Sequence, residues 1–188
     1  MATRLRVGAL LPNLSSKPTD RAPAGDWLAL VALGAAAAAL AAAFRWPLHV
    51  PGHQGLTWMA VLMFARCAWP RPWGATLCAA GAMAAASVPF LHGHDPLVPV
   101  YYLTTGLGVD LLMQLPARLR GRLGTLGLIA GAAFATKPII QWYLAAHLEG
   151  VQGSAGFAFS HVLAAHAVFG FVGGLAGAWA GTIKRNGP

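Results

Sequence analysis

Two ionisable side chains lie well inside apolar stretches of the sequence, Asp110 in the fourth stretch and Lys137 in the fifth. In a lipid environment each of these charges costs roughly 3 kcal/mol or more unless it is paired or hydrated, so each is a candidate for function. Pro138 follows Lys137 and is expected to kink its helix and to free a backbone carbonyl. The two charges lie at different depths, so we do not expect a direct pair. The alternative role for Asp110 is a carboxylate hydrogen-bonded to neighbouring helices.

Hydrogen-bonding and aromatic side chains converge on the depth of Lys137. The further candidates for ligand binding are Gln141, Trp142, His161, His166, Tyr101, Tyr102 and Thr105. An aromatic-walled pocket with one ammonium group and a few hydrogen-bonding groups suits a small, partly anionic organic ligand that enters from outside. The alternative for the tyrosine and tryptophan side chains is an aromatic belt at a membrane interface.

The connections between apolar stretches carry a second group of candidates. This external-loop group consists of His49, His53, His92, His94 and Asp95. Imidazole and carboxylate at the close spacing of the last three suit zinc, nickel or cobalt, but a short turn bounded by Gly and Pro is more often a polar loop. His161 and His166 are five residues apart, about 140° around a helix, and do not chelate a metal from one face. We therefore predict no metal and no other cofactor.

Catalytic motifs are absent from the sequence. It has no Gly-x-Ser-x-Gly elbow, no His-Glu-x-x-His and no Gly-Lys-Ser/Thr phosphate loop, and its 5 acidic residues are few for acid–base chemistry. We do not expect an enzyme. A haem-binding protein or membrane enzyme that uses His161 and His166 remains a minor alternative.

The elements that must position these residues are apolar stretches of membrane-spanning type. Of the 188 residues, 57% are hydrophobic and 10% are charged, and the mean hydropathy is +0.59, which indicates an all-helical, multi-pass membrane protein. We predict spans at 27–44, 55–69, 73–91, 97–116, 123–146 and 158–182. The second is short and contains Arg66, so five spans are the alternative count. The predicted organisation is a disordered basic tail at 1–25, one membrane domain at 26–183 and a short tail at 184–188.

Most of the basic residues other than Lys137 fall in clusters at one end of the predicted spans. One end carries Arg4, Arg6, Lys17, Arg21, Arg66, Arg71, Arg118, Arg120, Arg122, Lys184 and Arg185, and the other carries only Arg45 with the loop histidines. Lys and Arg are retained on the cytoplasmic side, so both termini are expected in the cytoplasm and the protein in the inner membrane. The net charge of +8 is spread over these loops, which argues against nucleic-acid binding.

Small residues spaced four apart form flat helix faces. Ala35, Ala39 and Ala43 form one such face in the first span, and Gly173, Gly177 and Gly181 form another in the last. Such faces let helix backbones approach closely in a bilayer. They indicate packing within the bundle or, for the alanine face, docking of a partner membrane protein.

Four features together resemble one known family. They are six short spans in a chain of 188 residues, the Ala-xxx-Ala spacing of the first span, the Pro-rich segment from Pro47 to His53, and the run Asp95-Pro96, Tyr101, Gly106, Asp110. Over roughly residues 27–182 the chain resembles the substrate-binding S components of energy-coupling factor vitamin transporters. The resemblance implies that substrate lies in the outer half of the bundle under external loops. It also implies that the first-span alanine face meets a membrane coupling subunit, which works with two ATPases.

The leading hypothesis is a subunit that captures a small, vitamin-like organic micronutrient from outside and releases it inward when partners drive its reorientation. The first alternative is a non-transport membrane module such as a sensor, assembly factor or scaffold. A transition-metal uptake subunit is disfavoured, because the cobalt and nickel members of the superfamily carry a histidine directly after the initiating methionine and this chain begins Met1-Ala2-Thr3.

Overall fold

The computed structural model describes residues 24–43, 50–88, 96–147 and 158–186. Helices make up 86% of these residues, and no strand occurs among them. The helices are α1 (Ala24–Ala43), α2 (Gln54–Ala68), α3 (Gly74–Ala86), α4 (Val98–Leu112), α5 (Ala117–Arg120), α6 (Leu123–His147) and α7 (Phe159–Asn186). The predicted all-helical fold is confirmed.

Each predicted apolar stretch overlaps one helix, and the single turn α5 is an addition that the sequence pattern did not predict. The stretches at 73–91 and 97–116 run past their helices, which end at Ala86 and Leu112. Both helices end shortly before Pro89 or Pro116. Because a residue before proline avoids the helical conformation, Val88 and Leu115 are disfavoured as helical positions, and neither helix continues through its proline.

Within the described ranges, three helices have the length and hydropathy of membrane spans, at Gly25–Ala43, Leu123–His147 and Phe159–Arg185. This finding is consistent with a membrane protein. The helices α2 and α4 have 15 residues each and α3 has 13. At about 1.5 Å per residue they are shorter than the roughly 30 Å of a hydrocarbon core.

The helices pack as an open arc whose two ends are joined by α2. Along the arc α1 packs against α3, α3 against α4, α4 against α6, and α6 against α7, whereas the described parts of α1 and α7 are not in contact. The helix α2 packs mainly against α7 and also contacts α1, α3, α4 and α6, so it joins the two ends of the arc. The helix α1 is peripheral, because its neighbours among the described elements are α3 and α2 alone.

Glycines allow α2 and α7 to run side by side with their backbones in contact. A Cβ atom at Gly173, Gly177 or Gly181 would meet the carbonyl oxygens of Leu56, Ala60 and Phe64 respectively. The residue numbers of these contacting positions increase in the same direction along both helices, so the two helices run parallel. The small-residue face predicted for the last span therefore packs inside the bundle, against α2.

Both ion pairs among the described residues lie at one end of the bundle, which we call the basic end. There Arg71 Nη2 donates to Asp26 Oδ2 at 2.8 Å and links the start of α1 to the connection between α2 and α3. At the same end α2, α4 and α7 finish and α3 and α6 begin. The opposite end, where α2 and α7 begin, holds the cavity described next.

Candidate functional site

A half-open cavity of about 240 Å³ lies between the start of α2, the second half of α6 and the first half of α7. Its lining consists of Val50, Pro51, Gly52, His53, Gln54, Lys137, Gln141, Val162 and His166. Three of the candidates from α6 and α7, together with His53 of the external-loop group, are therefore brought to one site. The volume fits a small organic molecule rather than a large cofactor.

The turn before α2 closes one wall of the cavity, and Gly52 makes this possible. Its φ of 79° is left-handed, a conformation that glycine adopts without the steric cost of a side chain. A Cβ atom at this position would lie 3.0 Å from the Cα, backbone N and Nδ1 of His166. The turn therefore rests directly on α7, and no larger residue fits there without a shift.

Lys137 brings the positive charge of the site. It lies in α6 directly before Pro138, which is inside the same helix and has a fully buried side chain. The Lys137 ammonium lies 5.6 Å from the centroid of the Tyr101 ring on α4, a cation–π arrangement that offsets part of the cost of holding a charge there. The ammonium thus lies between the cavity and the buried Tyr101 ring.

His166 presents a defined face to the same cavity. Its Nδ1 atom lies 2.8 Å from the Val162 carbonyl oxygen, so Nδ1 carries the proton and donates, which leaves Nε2 as an acceptor in the neutral ring. The ring stacks on Phe134 with centroids 4.9 Å apart. His53 is arranged in the same way, with Nδ1 2.8 Å from the Val50 carbonyl oxygen.

Four other candidates lie elsewhere. Trp142 is 59% exposed and packs against Phe159 with centroids 5.5 Å apart, and His161 is also exposed. Tyr102 and Thr105 belong to an interior cluster, in which Trp58 Nε1 donates to Thr105 Oγ1 at 2.9 Å. Within that cluster the Trp58 and Tyr102 rings meet edge to face, with centroids 4.6 Å apart.

Asp110 belongs to the basic end and does not line the cavity. Its Oδ1 atom lies 3.0 Å from Nε of Arg66 in an ion pair. Its Oδ2 atom accepts hydrogen bonds from the backbone N–H and the hydroxyl of Thr76, at 2.7 and 2.8 Å. Thr76 lies in the first turn of α3, where free N–H groups favour an anion. The arrangement matches the alternative role, a carboxylate that joins neighbouring helices.

The alanine face of α1 is not the face that packs on the bundle. The buried positions of α1 are Leu30, Gly34 and Ala38, whereas Ala35 and Ala39 are half-buried and Ala43 is exposed. Sequence spacing alone did not identify which face turns inward, because almost every position of this helix is apolar or small. The alanines that the sequence predicts at a partner interface thus lie at the flank of the packed face.

Four of the candidates lie outside the described residues, namely His49, His92, His94 and Asp95. Within the described ranges, no three His, Cys, Asp or Glu side chains are grouped so that they could hold a metal ion.

Comparison with known proteins assigns the chain to no family. No family model, no curated protein and no solved structure matches the chain.

The chemistry of the cavity follows from its donors and acceptors. Lys137 donates and carries charge, Gln54 and Gln141 both donate and accept, and the Nε2 atoms of His53 and His166 accept. Sequence analysis missed Gln54 and Val162, and it named the segment from Pro47 to His53 only for its family resemblance, without assigning Val50, Pro51 or Gly52 to the site. The Pro51-Gly52 pair is a turn signal that could have pointed to a wall at this position.

Proposed function

We propose that the chain is a membrane-embedded capture subunit for uptake of a small, partly anionic organic micronutrient. It spans the cytoplasmic membrane six times with both termini inside. A membrane coupling subunit and ATPases energise it. The subunit itself performs no catalysis and holds no cofactor.

The distribution of charge supports this orientation. The described basic residues other than Lys137 lie at the basic end: Arg66, Arg71, Arg118, Arg120, Arg122, Lys184 and Arg185. Positive residues are retained in the cytoplasm, so the basic end faces inward and the cavity opens outward. The three shorter helices cross with the help of flanking residues and local thinning of the bilayer.

The observation that carries the proposal is the convergence of Lys137, Gln141 and His166 on one half-open cavity. In a filled bundle that serves only as a scaffold, these polar groups would pack against one another with no space between them. Here they surround a volume of about 240 Å³. A cavity at the outer end with one ammonium group suits capture of a ligand from outside.

The start of α2 adds to the attraction for an anion. Gly52, His53 and Gln54, at the start of this 15-residue helix, line the cavity. The N-terminus of a helix carries a partial positive charge from its aligned peptide dipoles. It therefore acts in the same direction as Lys137, and an anionic group of the ligand is expected between them.

The peripheral position of α1 supports docking of a coupling subunit. Its surface away from α3 is apolar and exposed at Ala32, Ala36 and Leu40, and the flanking Ala35 and Ala39 are half-exposed. Small residues permit close approach of another helix within a bilayer.

A non-transport membrane module is the second candidate function. The ion pair between Arg66 and Asp110 and the hydrogen bond from Trp58 to Thr105 show that some interior polar groups serve helix packing. If Lys137 and His166 also served only helix packing, we would expect the cavity to bind no ligand.

Mass spectrometry of the purified protein in detergent, followed by binding of the identified ligand to variants, decides between the two. Lys137→Met keeps much of the apolar stem and removes the ammonium. We expect a folded protein whose affinity for that ligand falls by a charge-assisted hydrogen bond, about 1.5 to 3 kcal/mol or roughly tenfold or more. Lys184→Met removes an ammonium from the basic end and is the matched control, with unchanged affinity. Absence of any retained ligand, or unchanged binding by Lys137→Met, would favour the second candidate.

A further inference from the structure

The outer cavity contains two imidazole groups whose hydrogen-bond direction is fixed. Nδ1 of His166 donates to the Val162 carbonyl oxygen and Nδ1 of His53 donates to the Val50 carbonyl oxygen, each at 2.8 Å. In a neutral imidazole the second nitrogen, Nε2, can then only accept a hydrogen bond. Within the described ranges neither Nε2 atom receives one. The cavity therefore offers two acceptors that need a donor from whatever fills it.

His166 is the stricter of these two acceptors. It is 4% exposed, its ring stacks on Phe134 with centroids 4.9 Å apart, and a Cβ atom at Gly52 would lie 3.0 Å from its Nδ1. The ring cannot turn a donor into the cavity without breaking its bond to Val162. A buried acceptor that loses its partner when water leaves is costly, so ligand binding depends on what this atom meets.

The other polar groups of the cavity impose no such requirement for a donor. The side-chain amides of Gln54 and Gln141 carry both a donor and an acceptor, so they suit either kind of ligand group. Lys137 can only donate and suits an anionic oxygen. A carboxylate oxygen has no proton to give, so it suits Lys137 but not the lone pair of His166 Nε2. An anionic group alone thus leaves the histidine acceptors unsatisfied.

The charge of the cavity indicates which anion accompanies the donor. Among the described residues that line the cavity, Lys137 is the one with an ammonium or guanidinium group. A carboxylate carries a single negative charge, whereas a phosphate monoester carries nearly two at neutral pH. One cation therefore matches a monocarboxylate better than a phosphate.

A metal ion is the other partner that imidazole lone pairs can bind. Metal-bound histidines also commonly donate their second N–H to a backbone carbonyl. Here, however, Lys137 lines the same cavity, and its positive charge repels a cation. The part of the chain that the structure describes also holds no group of three His, Cys, Asp or Glu side chains that could surround an ion. An N–H or O–H group therefore fits these acceptors better than a metal does.

We propose that the captured ligand is a monocarboxylic acid with an N–H or O–H group at a second position, and that His166 Nε2, together with His53 Nε2, accepts the hydrogen bond from that group. The inference rests on the proposed function, which places the anionic group near Lys137. His166 is then the residue that determines specificity. It rejects a molecule of the same shape that lacks the donor.

The test uses the full chain in detergent at about pH 8, where an imidazole with the ordinary pKa of about 6.5 is neutral. The probes are the monoamides of succinic, glutaric, adipic and pimelic acid, each paired with the keto acid in which a methyl group replaces the amide nitrogen. The members of a pair share their shape, carboxylate and carbonyl, and differ in the N–H donor. Ligand-observed NMR titration measures the affinities. We expect the best-binding monoamide to bind about tenfold more tightly than its keto acid.

Three variants separate the roles of the side chains. His166→Leu should remove the preference by weakening the monoamide alone, because leucine fills the space without an acceptor. Lys137→Met should weaken both members of the pair equally, because both carry the carboxylate. His147→Leu is the matched control and should retain the preference. Nδ1 of His147 likewise lies 2.7 Å from a carbonyl oxygen four residues earlier, that of Tyr143, but His147 is exposed and does not line the cavity.

Equal affinity of the paired probes for the unmodified chain, or a preference that survives in His166→Leu, would overturn the inference and leave ligand capture intact. Failure of every carboxylate to bind would contradict the proposed function, and this inference with it. Nickel(II) binding that is lost in His166→Leu would replace the donor by a metal ion. If His166→Leu does not fold, the paired probes on the unmodified chain still decide. His53→Leu should then reduce the preference, and an unchanged preference in that variant would contradict the pair of acceptors.

Discussion

Asp110 on α4 and Arg66 on α2 form an ion pair inside the bundle, with Oδ1 and Nε 3.0 Å apart. The side chain of Asp110 is 3% exposed and that of Arg66 is 13% exposed. Because Asp110 also accepts two hydrogen bonds from Thr76, one carboxylate joins three helices at the basic end. We therefore expect Asp110 to contribute to stability rather than to ligand binding.

Asp110→Asn should destabilise the protein by roughly 3 kcal/mol, because it leaves the largely buried Arg66 without its counter-charge. Thermal unfolding in detergent measures the change, and ligand affinity at the outer cavity should stay constant. Asp26→Asn removes the carboxylate that pairs with Arg71. This ion pair is more exposed than the one between Arg66 and Asp110, so its loss should lower the free energy of unfolding by no more than about 1 kcal/mol. The double variant Arg66→Gln/Asp110→Asn should be less destabilised than the sum of its single variants. Additive effects would show that the two residues are not coupled.

Gly52→Ala should weaken ligand binding and stability together. The left-handed φ costs a non-glycine residue about 1 to 2 kcal/mol, and the added Cβ atom would press on His166, 3.0 Å away. Gly124→Ala is the control, since a Cβ atom there meets nothing within 4 Å and alanine favours the helix by about 1 kcal/mol. A Gly52→Ala protein with normal stability and affinity would show that this turn does not form the cavity wall.

Ala39→Leu should leave the isolated protein folded but weaken its association with a coupling subunit. The half-buried alanine lies at the flank of the α1 face that packs on α3, and a larger residue would prevent close helix approach. Ala35→Leu should act in the same way. Co-purification of the partner subunits measures the effect, with Ala84→Leu on an exposed position of α3 as the control. Unchanged recovery of the partner, or unfolding of the isolated variant, would assign both alanines to packing within the bundle.

Reporter fusions at either terminus should show both ends of the chain in the cytoplasm, because the basic end carries nearly all of the described positive charge. A reporter that is active only in the periplasm should stay inactive at the C-terminus, and one that is active in the cytoplasm should be active there. Activity of the periplasmic reporter at the C-terminus would contradict the six-span topology.

The sequence alone determined that the fold is helical and where most helices begin and end. Long apolar stretches need internally satisfied backbone hydrogen bonds and therefore form helices. The exceptions are the predicted stretches 73–91 and 97–116, which run past the observed helix ends at Ala86 and Leu112. It also indicated that Lys137, Gln141 and His166 share one depth, because depth follows from residue count along a helix.

Only the tertiary structure decided which way each helix is turned. A helix that is apolar on all sides gives no signal of its inward face, so spacing could not show that Trp142 turns outward while Gln141 lines the cavity. It could not show that α1 packs through Gly34 rather than through Ala35. The pairing of Asp110 with Arg66 likewise joins residues far apart in sequence. Such contacts depend on how the helices pack against one another, and that packing is fixed by the whole set of side chains rather than by any single segment.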